Sequence, residues 1–460
     1  MKNDALDFSI FSPIKSFVKK SSFSAILLFS SAFMALLLAN SPANAFIERL
    51  LSLELGFTIG NFSIYKPLLL WINDGLMSVF FFVIGLELKR ELIAGQLSNP
   101  KNIAMPLVGA VGGMLIPGLI YFLINRPVGG EALNGWGIPM ATDIAFALGV
   151  IYLLGSRVPI QLKVFLTALA IIDDIGAVAI VALFYTSEIS VLYLSIGFFF
   201  LLIMFVLNRY GIRNVLIYAV LGIGGVWLAF LLSGVHATIA AVLAAFAIPA
   251  TRAIDKKKYI ASVKSLTEKL QIAKKAEKEK YLLSSDEENI IGEIKRVSSN
   301  AMSPLQNLEH TMHGLVLYVV MPIFALANAG VVIDSSFFQM ISSPVALGVL
   351  LGLLVGKIVG IYGLSMLGLK LGLYKMPDSL NSRMILGASF LAAIGFTMSL
   401  FINSLAFESY VYIQQAKMGI LMASSIAGIL GYVIIKNAIR SRHDDPVTHI
   451  RDKKEDLATT

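Results

Sequence analysis

Long apolar runs, most of them close to twenty residues, dominate the hydrophobic and polar pattern of this chain of 460 residues. A helix of that length crosses the roughly 30 Å hydrocarbon core of a membrane, whereas barrel strands give short alternating segments. The pattern predicts an all-α polytopic membrane protein and excludes a transmembrane β-barrel. We expect about twelve transmembrane helices, near 23–42, 67–88, 103–124, 136–154, 161–185, 190–208, 212–231, 233–249, 313–331, 344–368, 384–405 and 416–436.

Composition agrees with this class and narrows the chemistry. Hydrophobic residues make up 57% of the chain and charged residues 14%, against about 45–50% and about 25% in soluble proteins. The chain has no cysteine, which excludes disulfides, iron–sulfur clusters and thiolate zinc sites. We therefore expect no cofactor.

The basic residues predict the orientation of the chain in the membrane. Cytoplasmic loops are enriched in Lys and Arg, and alternate connections here carry most of them: Lys15, Lys19, Lys20, Lys89, Arg90, Lys101, Arg157, Lys163, Arg209, Arg213, Lys370, Lys375, Arg383, Lys436, Arg440 and Arg442. The opposite connections carry only Arg49, Lys66, Arg126 and Lys417. Both termini are predicted to be cytoplasmic, and the net charge of +8 requires no nucleic-acid partner.

The first spanning segment and the loop after it each allow two interpretations. A basic stretch, the apolar run 23–38 and Pro42–Ala45 resemble a signal peptide, but the run is longer than most signal cores, which favours a retained helix. Residues 57–65 form two strand-like runs around Gly60-Asn61. They predict an external β-hairpin, which is a candidate dimer contact, or alternatively a simple loop.

One charged segment interrupts the series of apolar runs. It is rich in Lys and Glu and divides the chain into 1–250 with eight helices, 251–304 as a cytoplasmic insertion, 305–440 with four helices, and 441–460 as a cytoplasmic tail. Val263, Leu266, Leu270 and Ala273 share one helical face. This predicts an amphipathic helix, with a solvated, charge-paired linker as the alternative.

The ionisable residues inside the predicted spans carry the strongest functional signal, because each costs at least about 2.5–3.5 kcal/mol at the bilayer centre. They are Asp143, the adjacent Asp173 and Asp174, and Lys357. Two neighbouring carboxylates in a low dielectric repel each other, which favours a bound proton or a small cation. Oxygen ligands suit Na⁺ or Li⁺. Lys357 is the natural partner of one carboxylate, and purely structural salt bridges are the alternative.

Two predicted spans contain helix-breaking residues near their middles. Breaks near 139–143 and near 393–397 are indicated by glycine, proline and hydroxyl residues in apolar runs. Such breaks are tolerated at bilayer depth only inside protein or beside a cavity. Placed face to face, the half-helix ends would let Asp143 neutralise the positive ends and Lys357 the negative ends. Secondary transporters built from inverted repeats have this design, and spans from near 103 and near 344 are candidate repeats.

Eight stretches in this order resemble the NhaA-type sodium/proton antiporter family and cover nearly all of the spans. They are WINDGLMSVFF (71–81), GLELKREL (85–92), ATDIAFA (141–147), IIDD (171–174), GVHAT (234–238), LEH (308–310), LANAG (326–330) and GFTMS (395–399).

The resemblance implies a dimer in the bacterial inner membrane that expels Na⁺ or Li⁺ in exchange for a larger number of H⁺. It implies that Asp173 and Asp174 carry cation and proton, that Thr142 and Asp143 lie at the helix crossing, and that Lys357 pairs with Asp173. Alkaline activation is implied for a second set, Glu87, Arg90, Glu91, Glu309, His310 and His236. A surface ion-pair cluster and an uninvolved interfacial histidine are the alternatives for that set.

Two departures from the family pattern are visible. The insertion 251–304 enters just before Glu309, where the family has a short connection, so pH regulation is the property least fixed by the resemblance. Residues 358–360 lack a proline that some members have, which affects helix shape more than ion chemistry.

Two other functions fit parts of the sequence. A sodium-coupled symporter of an organic solute would need a wide polar cavity beside the aspartates. An intramembrane metalloprotease is the remote alternative. His310 and His313 are three residues apart and Glu309 lies outside them, whereas the zinc-protease motif has histidines four residues apart around a glutamate, and no third ligand is evident.

Overall fold

The computed structural model describes residues 22–59, 62–98, 100–186, 189–273, 283–333, 335, 337–377 and 379–443. These residues are mainly helical, as the apolar runs predict. In chain order the elements are α1 Ser22–Ala39, α2 Asn44–Leu51, β1 Glu54–Ile59, β2 Phe62–Pro67, α3 Leu68–Ala94, a 3₁₀ turn Gln96–Ser98, α4 Pro100–Asn125, a 3₁₀ helix Gly130–Met140, α5 Ile144–Leu153, a 3₁₀ turn Gly155–Arg157, α6 Ile160–Phe184, α7 Val191–Arg209, α8 Val215–Ser233, α9 Ala237–Ala247, α10 Lys256–Ala273, α11 Ser285–Ala301, α12 Pro304–Asn328, α13 Phe337–Ile341, α14 Pro344–Lys370, α15 Ser382–Ala392, α16 Phe396–Ala406 and α17 Tyr410–His443.

The spans confirm an all-α polytopic membrane protein. Within the described ranges, nine helices are long and apolar enough to cross a membrane, and two bent pairs, α1 with α2 and α15 with α16, raise the number to eleven. The remaining predicted span, 233–249, is shorter than expected: α9 has eleven residues, a length of about 16 Å. Gly234 adopts a left-handed conformation, with φ of +82°, which separates α8 from α9.

The predicted hairpin is present and longer than expected. Strands β1 and β2 pair antiparallel from Glu54 opposite Pro67 to Ile59 opposite Phe62, and the intervening turn lies outside the described residues. Lys66 Nζ donates to Asp74 Oδ2 at 2.8 Å, which ties the hairpin to α3.

The chain forms two compact units, and neither is continuous in sequence. The first unit comprises the described residues within 1–77, 94–186 and 317–460, and the second comprises those within 78–93 and 187–316. The second unit has its own apolar core, which includes Leu86, Met204, Val226, Phe230 and Ala244. Its helices α10 and α11 contain most of the charged segment 251–304. Leu266 of α10 is buried, and Tyr259 and Ser298 lie 3.3 Å apart through their hydroxyls.

Glycines bring α4 and α14 together in the first unit. A Cβ atom added to Gly360 would lie 2.1 Å from the carbonyl oxygen of Gly112, and one added to Gly356 would lie 2.7 Å from Cα of Pro117. Small residues permit this kind of backbone contact between membrane helices. The contact fixes the part of α14 that carries Lys357.

We expect Gly360→Ala to lower the melting temperature of the purified protein, because the new methyl group meets backbone that cannot rotate away. The expected loss is about 1–3 kcal/mol of stability. Gly363→Ala is the matched control on the same helix, since an added Cβ there meets nothing within 4 Å. Equal melting temperatures for the two variants would contradict the close contact.

Candidate ion-binding site

Two interrupted spans of the first unit cross at their breaks, which confirms both predicted discontinuities. The first break is the extended segment 141–143 between the 3₁₀ helix and α5, and the second separates α15 from α16, which are bent by 42°. The Asp143 N–H donates to the carbonyl of Ile394 at 2.7 Å. Ser399 Oγ donates to the carbonyl of Ile138 at 2.8 Å. Backbone groups freed by each break are thus bonded by residues of the other span.

The carboxylate of Asp143 lies at the N-terminal ends of two half-helices. It is fully buried, and its Oδ1 accepts from the Phe146 N–H of α5 at 3.0 Å. Its Oδ2 accepts from the Thr397 N–H of α16 at 3.1 Å and from the Thr397 hydroxyl. Each helix N-terminus carries about half a positive charge. One carboxylate therefore balances both positive ends, as expected from the sequence.

Thr142 and Lys357 meet Asp173 beside this crossing. The Thr142 hydroxyl lies 2.6 Å from Asp173 Oδ2 and 2.7 Å from the carbonyl oxygen of Ala392. Lys357 Nζ donates to Thr142 Oγ1 at 3.0 Å and forms an ion pair with Asp173 Oδ2. The predicted pairing of Lys357 with an aspartate is present.

Lys357 donates its hydrogen bonds to Thr142 and Asp173 and none to the carbonyl ends of the half-helices, so its neutralisation of those ends stays a prediction. Those carbonyls accept hydrogen bonds from Thr142, Asp143 and Ser399 instead. The physical reason is charge: a carboxylate attracts a buried ammonium with a full negative charge, whereas a helix C-terminus offers about half of one.

The two adjacent aspartates lie mid-way along α6 and are both 1% exposed. Consecutive residues of a helix point about 100° apart, and Asp173 is the one that faces Thr142 and Lys357. Asp174 interacts electrostatically with Lys357. Asp173 Oδ1 has no hydrogen-bond partner among the described residues. If all three groups are ionised, the two carboxylates and the ammonium have a net charge of −1, which one monovalent cation or one proton would balance.

Local helix geometry places Lys357 in this centre. Helix α14 widens into π-helical turns on both sides of Lys357, at Gly352–Gly356 and Ile358–Gly363. Such turns are frequent at functional sites because they redirect side chains. A Cβ on Gly352 would lie 2.7 Å from Pro139 Cβ. Glycine at this position therefore lets the first broken span pack closely against α14.

A second charged cluster lies in the second unit. Arg90 donates to Glu309 Oε1 at 2.5 Å and to Glu91 Oε1 at 2.8 Å. Glu87 Oε1 lies 3.2 Å from His313 Nδ1. His310, expected in this cluster, is exposed and forms no hydrogen bond or ion pair with another residue of the cluster. His313 lies four residues after Glu309 on α12, and that spacing is the sequence signal that would have identified it.

His236 and a pair of asparagines are the remaining polar residues of interest. His236 is partly buried in the link before α9, and its role in the pH response remains a prediction. Sequence reasoning did not predict the buried pair in which Asn328 Nδ2 donates to Asn73 Oδ1 at 2.8 Å. Both residues lie in apolar runs, where an isolated amide indicates an interhelical hydrogen bond.

These features define a multi-pass membrane protein of the ion-transporting class, in which two interrupted helices cross beside buried carboxylates and a lysine. Residues 15–435 match the family described as Na⁺/H⁺ antiporter 1. The chain belongs to this family of sodium/proton antiporters.

Proteins named Na(+)/H(+) antiporter NhaA are similar over nearly their whole length. The relative from Oleidesulfovibrio alaskensis is 43% identical, covering 95% of this chain and 96% of its own. The relative from Sulfurimonas denitrificans is 43% identical, covering 94% of this chain and 97% of its own. The relative from Wolinella succinogenes is 44% identical, covering 93% of each chain.

Lys357→Ala is expected to lower stability strongly, because it leaves the Asp173 carboxylate buried without its counter-charge. Removing one partner of a buried ion pair costs about 3–5 kcal/mol. Thermal melting in detergent measures the effect, with Lys66→Ala as the control, because the Lys66–Asp74 pair is partly exposed and is worth at most about 1 kcal/mol. A melting temperature unchanged from the wild-type value would refute the charge-balancing role.

Proposed function

We propose that this chain is an electrogenic, secondary active antiporter that moves Na⁺ or Li⁺ out of the cytoplasm and H⁺ inward, with Asp173 and Asp174 as the ion-binding carboxylates. The observation that carries the proposal is the buried centre of two aspartates and one lysine beside the helix crossing. Exchange of this kind contributes to sodium and pH homeostasis. The relatives are named for Na⁺/H⁺ exchange, which supports the choice of ions.

Competition for the same oxygens explains how one site exchanges two ions. The centre has a net charge of −1 when both aspartates are ionised and Lys357 is protonated. Either Na⁺ or H⁺ neutralises it, and both together would leave an uncompensated positive charge in a low dielectric. Each ion therefore displaces the other, and alternating exposure of the centre to the two sides of the membrane gives exchange.

Lys357 supports an exchange that moves net charge. A cation bound between Asp173 and Asp174 would replace Lys357 as the partner of the Asp173 carboxylate. The Lys357 ammonium would then be buried without a counter-charge, and such a group loses its proton readily. If Na⁺ binding releases one proton from the aspartates and one from Lys357, the centre has a net charge of −1 with Na⁺ and of 0 with its protons, so each cycle moves net charge. The membrane potential would drive such a cycle together with the proton gradient.

The remaining groups of the centre have supporting roles in this proposal. Thr142 holds Asp173 and Lys357 together through its hydroxyl. Asp143 does not carry an ion, because both its oxygens accept hydrogen bonds from helix N-termini. We propose that transport needs no cofactor.

We propose the cellular arrangement that the sequence predicts. The basic loops favour cytoplasmic termini in a bacterial inner membrane. The hairpin of β1 and β2 offers an exposed edge to a second copy, which supports a homodimer.

We propose that the second charged cluster responds to pH through His313. Histidine is the side chain that normally changes its charge between pH 5 and 8. Protonated, it attracts Glu87 and Glu309 and is repelled by Arg90; deprotonated at alkaline pH, it loses the attraction to the two carboxylates. The cluster is therefore held less tightly at high pH, which agrees with an activity that rises as the pH becomes alkaline.

Asp174→Asn is expected to reduce Na⁺/H⁺ exchange to background while the protein still inserts into the membrane, because the centre then lacks the negative charge that binds the cation. In everted vesicles acidified by respiration, added Na⁺ should raise the fluorescence of a quenched amine dye for the wild type but not for Asp174→Asn. Asp74→Asn is the control and should retain exchange. Exchange retained by Asp174→Asn would place the ion site elsewhere, and a wild type inactive at neutral and alkaline pH would refute antiport.

His313→Ala should shift the activity profile towards lower pH, because the variant lacks the pH-dependent attraction to Glu87. The same vesicle measurement over a pH series detects the shift. His310→Ala is the matched control three residues away, because His313 and not His310 contacts Glu87, and it should leave the profile unchanged. Superimposable profiles for His313→Ala and the wild type would exclude His313 as the sensor.

A further inference from the structure

A cavity of about 830 Å³ lies in the first unit, lined by residues of α1, α2, α3, α12 and α17. None of the residues at the helix crossing lines it. Most of its wall is apolar, including Ala35, Leu38, Ile323 and Leu326. Its volume is in the range of about 300–1,000 Å³ that is typical of small-molecule sites. Its walls come largely from membrane-spanning helices, so the hydrocarbon chains of lipids are natural candidates to fill it.

One face of α17 supplies the polar groups on the cavity wall. Tyr410, Gln414 and Lys417 line the cavity at positions i, i+4 and i+7, which share a helix face. Tyr410 and Gln414 are hydrogen-bonded to each other. Lys417 lies two turns, about 10 Å, from the start of the helix. All three side chains can donate hydrogen bonds to an anion.

The ammonium of Lys417 makes no hydrogen bond or ion pair with any residue that the structure describes. Glu48, whose carboxylate also lines the cavity, is exposed and accepts from Asn44 Nδ2 at 3.1 Å. By contrast, Lys66, another basic residue on the side that the sequence predicts to be external, is paired with Asp74. An ammonium among apolar walls is costly without a counter-anion. Lys417 therefore indicates an anionic ligand.

We propose that this cavity binds one anionic phospholipid of the surrounding bilayer. The phosphate lies at Lys417 with Gln414 and Tyr410, and an acyl chain lies along the apolar wall. Cationic pockets between membrane helices bind anionic headgroups, and burial of acyl methylene groups against apolar side chains is favourable. The site joins α1, α12 and α17, so the lipid stabilises the first unit.

The test measures lipid retention and melting of the full-length protein after delipidation, with phosphatidylglycerol and phosphatidylcholine as probes. We expect native mass spectrometry to show one retained phosphatidylglycerol and a higher melting temperature with this lipid than with phosphatidylcholine. Lys417→Met should weaken retention about tenfold or more, as for loss of a charged hydrogen bond. Lys436→Met is the control on the same helix, because Lys436 lies over the Tyr432 ring and does not line the cavity.

A second variant tests the apolar part of the site. Ala327→Phe fills the cavity and leaves Lys417 in place, and it should also abolish the preference for phosphatidylglycerol. If Lys417→Met melts at a lower temperature than the wild type in detergent alone, Ala327→Phe becomes the test of lipid binding. Equal stabilisation of the wild type by both lipids, or full retention of phosphatidylglycerol by a folded Lys417→Met or Ala327→Phe, would overturn the proposal.

Discussion

One buried carboxylate holds the centre of the first unit together. Asp143 accepts hydrogen bonds from the N-terminal ends of α5 and α16, and its own N–H donates to the carbonyl of Ile394 in the break after α15. Interrupted helices leave unbonded peptide groups that lipid cannot satisfy. Each broken span supplies hydrogen-bond partners for the peptide groups that the other leaves unbonded, so neither break is stable without the crossing. The crossing in turn fixes the position of the charged groups beside it.

The aspartate pair and Lys357 depend on that fixed position. Thr142, adjacent to Asp143 in the same break, contacts Asp173, Lys357 and the carbonyl of Ala392. Asp143 thus satisfies the helix ends at the break, and its neighbour Thr142 contacts the charged groups of the centre. A net charge of −1 in a water-poor interior is costly unless a cation or proton neutralises it. The same cost makes ionised side chains rare within membrane spans.

Close packing places Lys357 as firmly as electrostatics does. The backbone contact between Gly112 and Gly360, with the π-helical turns on both sides of Lys357, determines where the side chain leaves α14. Glycine is required at this contact because any side chain would collide with backbone. The second charged cluster lies in the second unit and contains a histidine, His313, a residue type that the aspartate centre lacks.

The sequence by itself determined the membrane class, most of the spans, the two breaks and the identity of the charged residues, because hydrophobic length and the cost of buried charge act locally along the chain. It also predicted the pairing of Lys357 with an aspartate. Only the tertiary structure decided which groups meet: Thr397 at Asp143, His313 rather than His310 at Glu87, and carbonyl ends bonded by Thr142 and Ser399 rather than by Lys357. These contacts join residues far apart in sequence, so their partners depend on helix rotation and crossing geometry, which a local hydrophobic pattern does not specify.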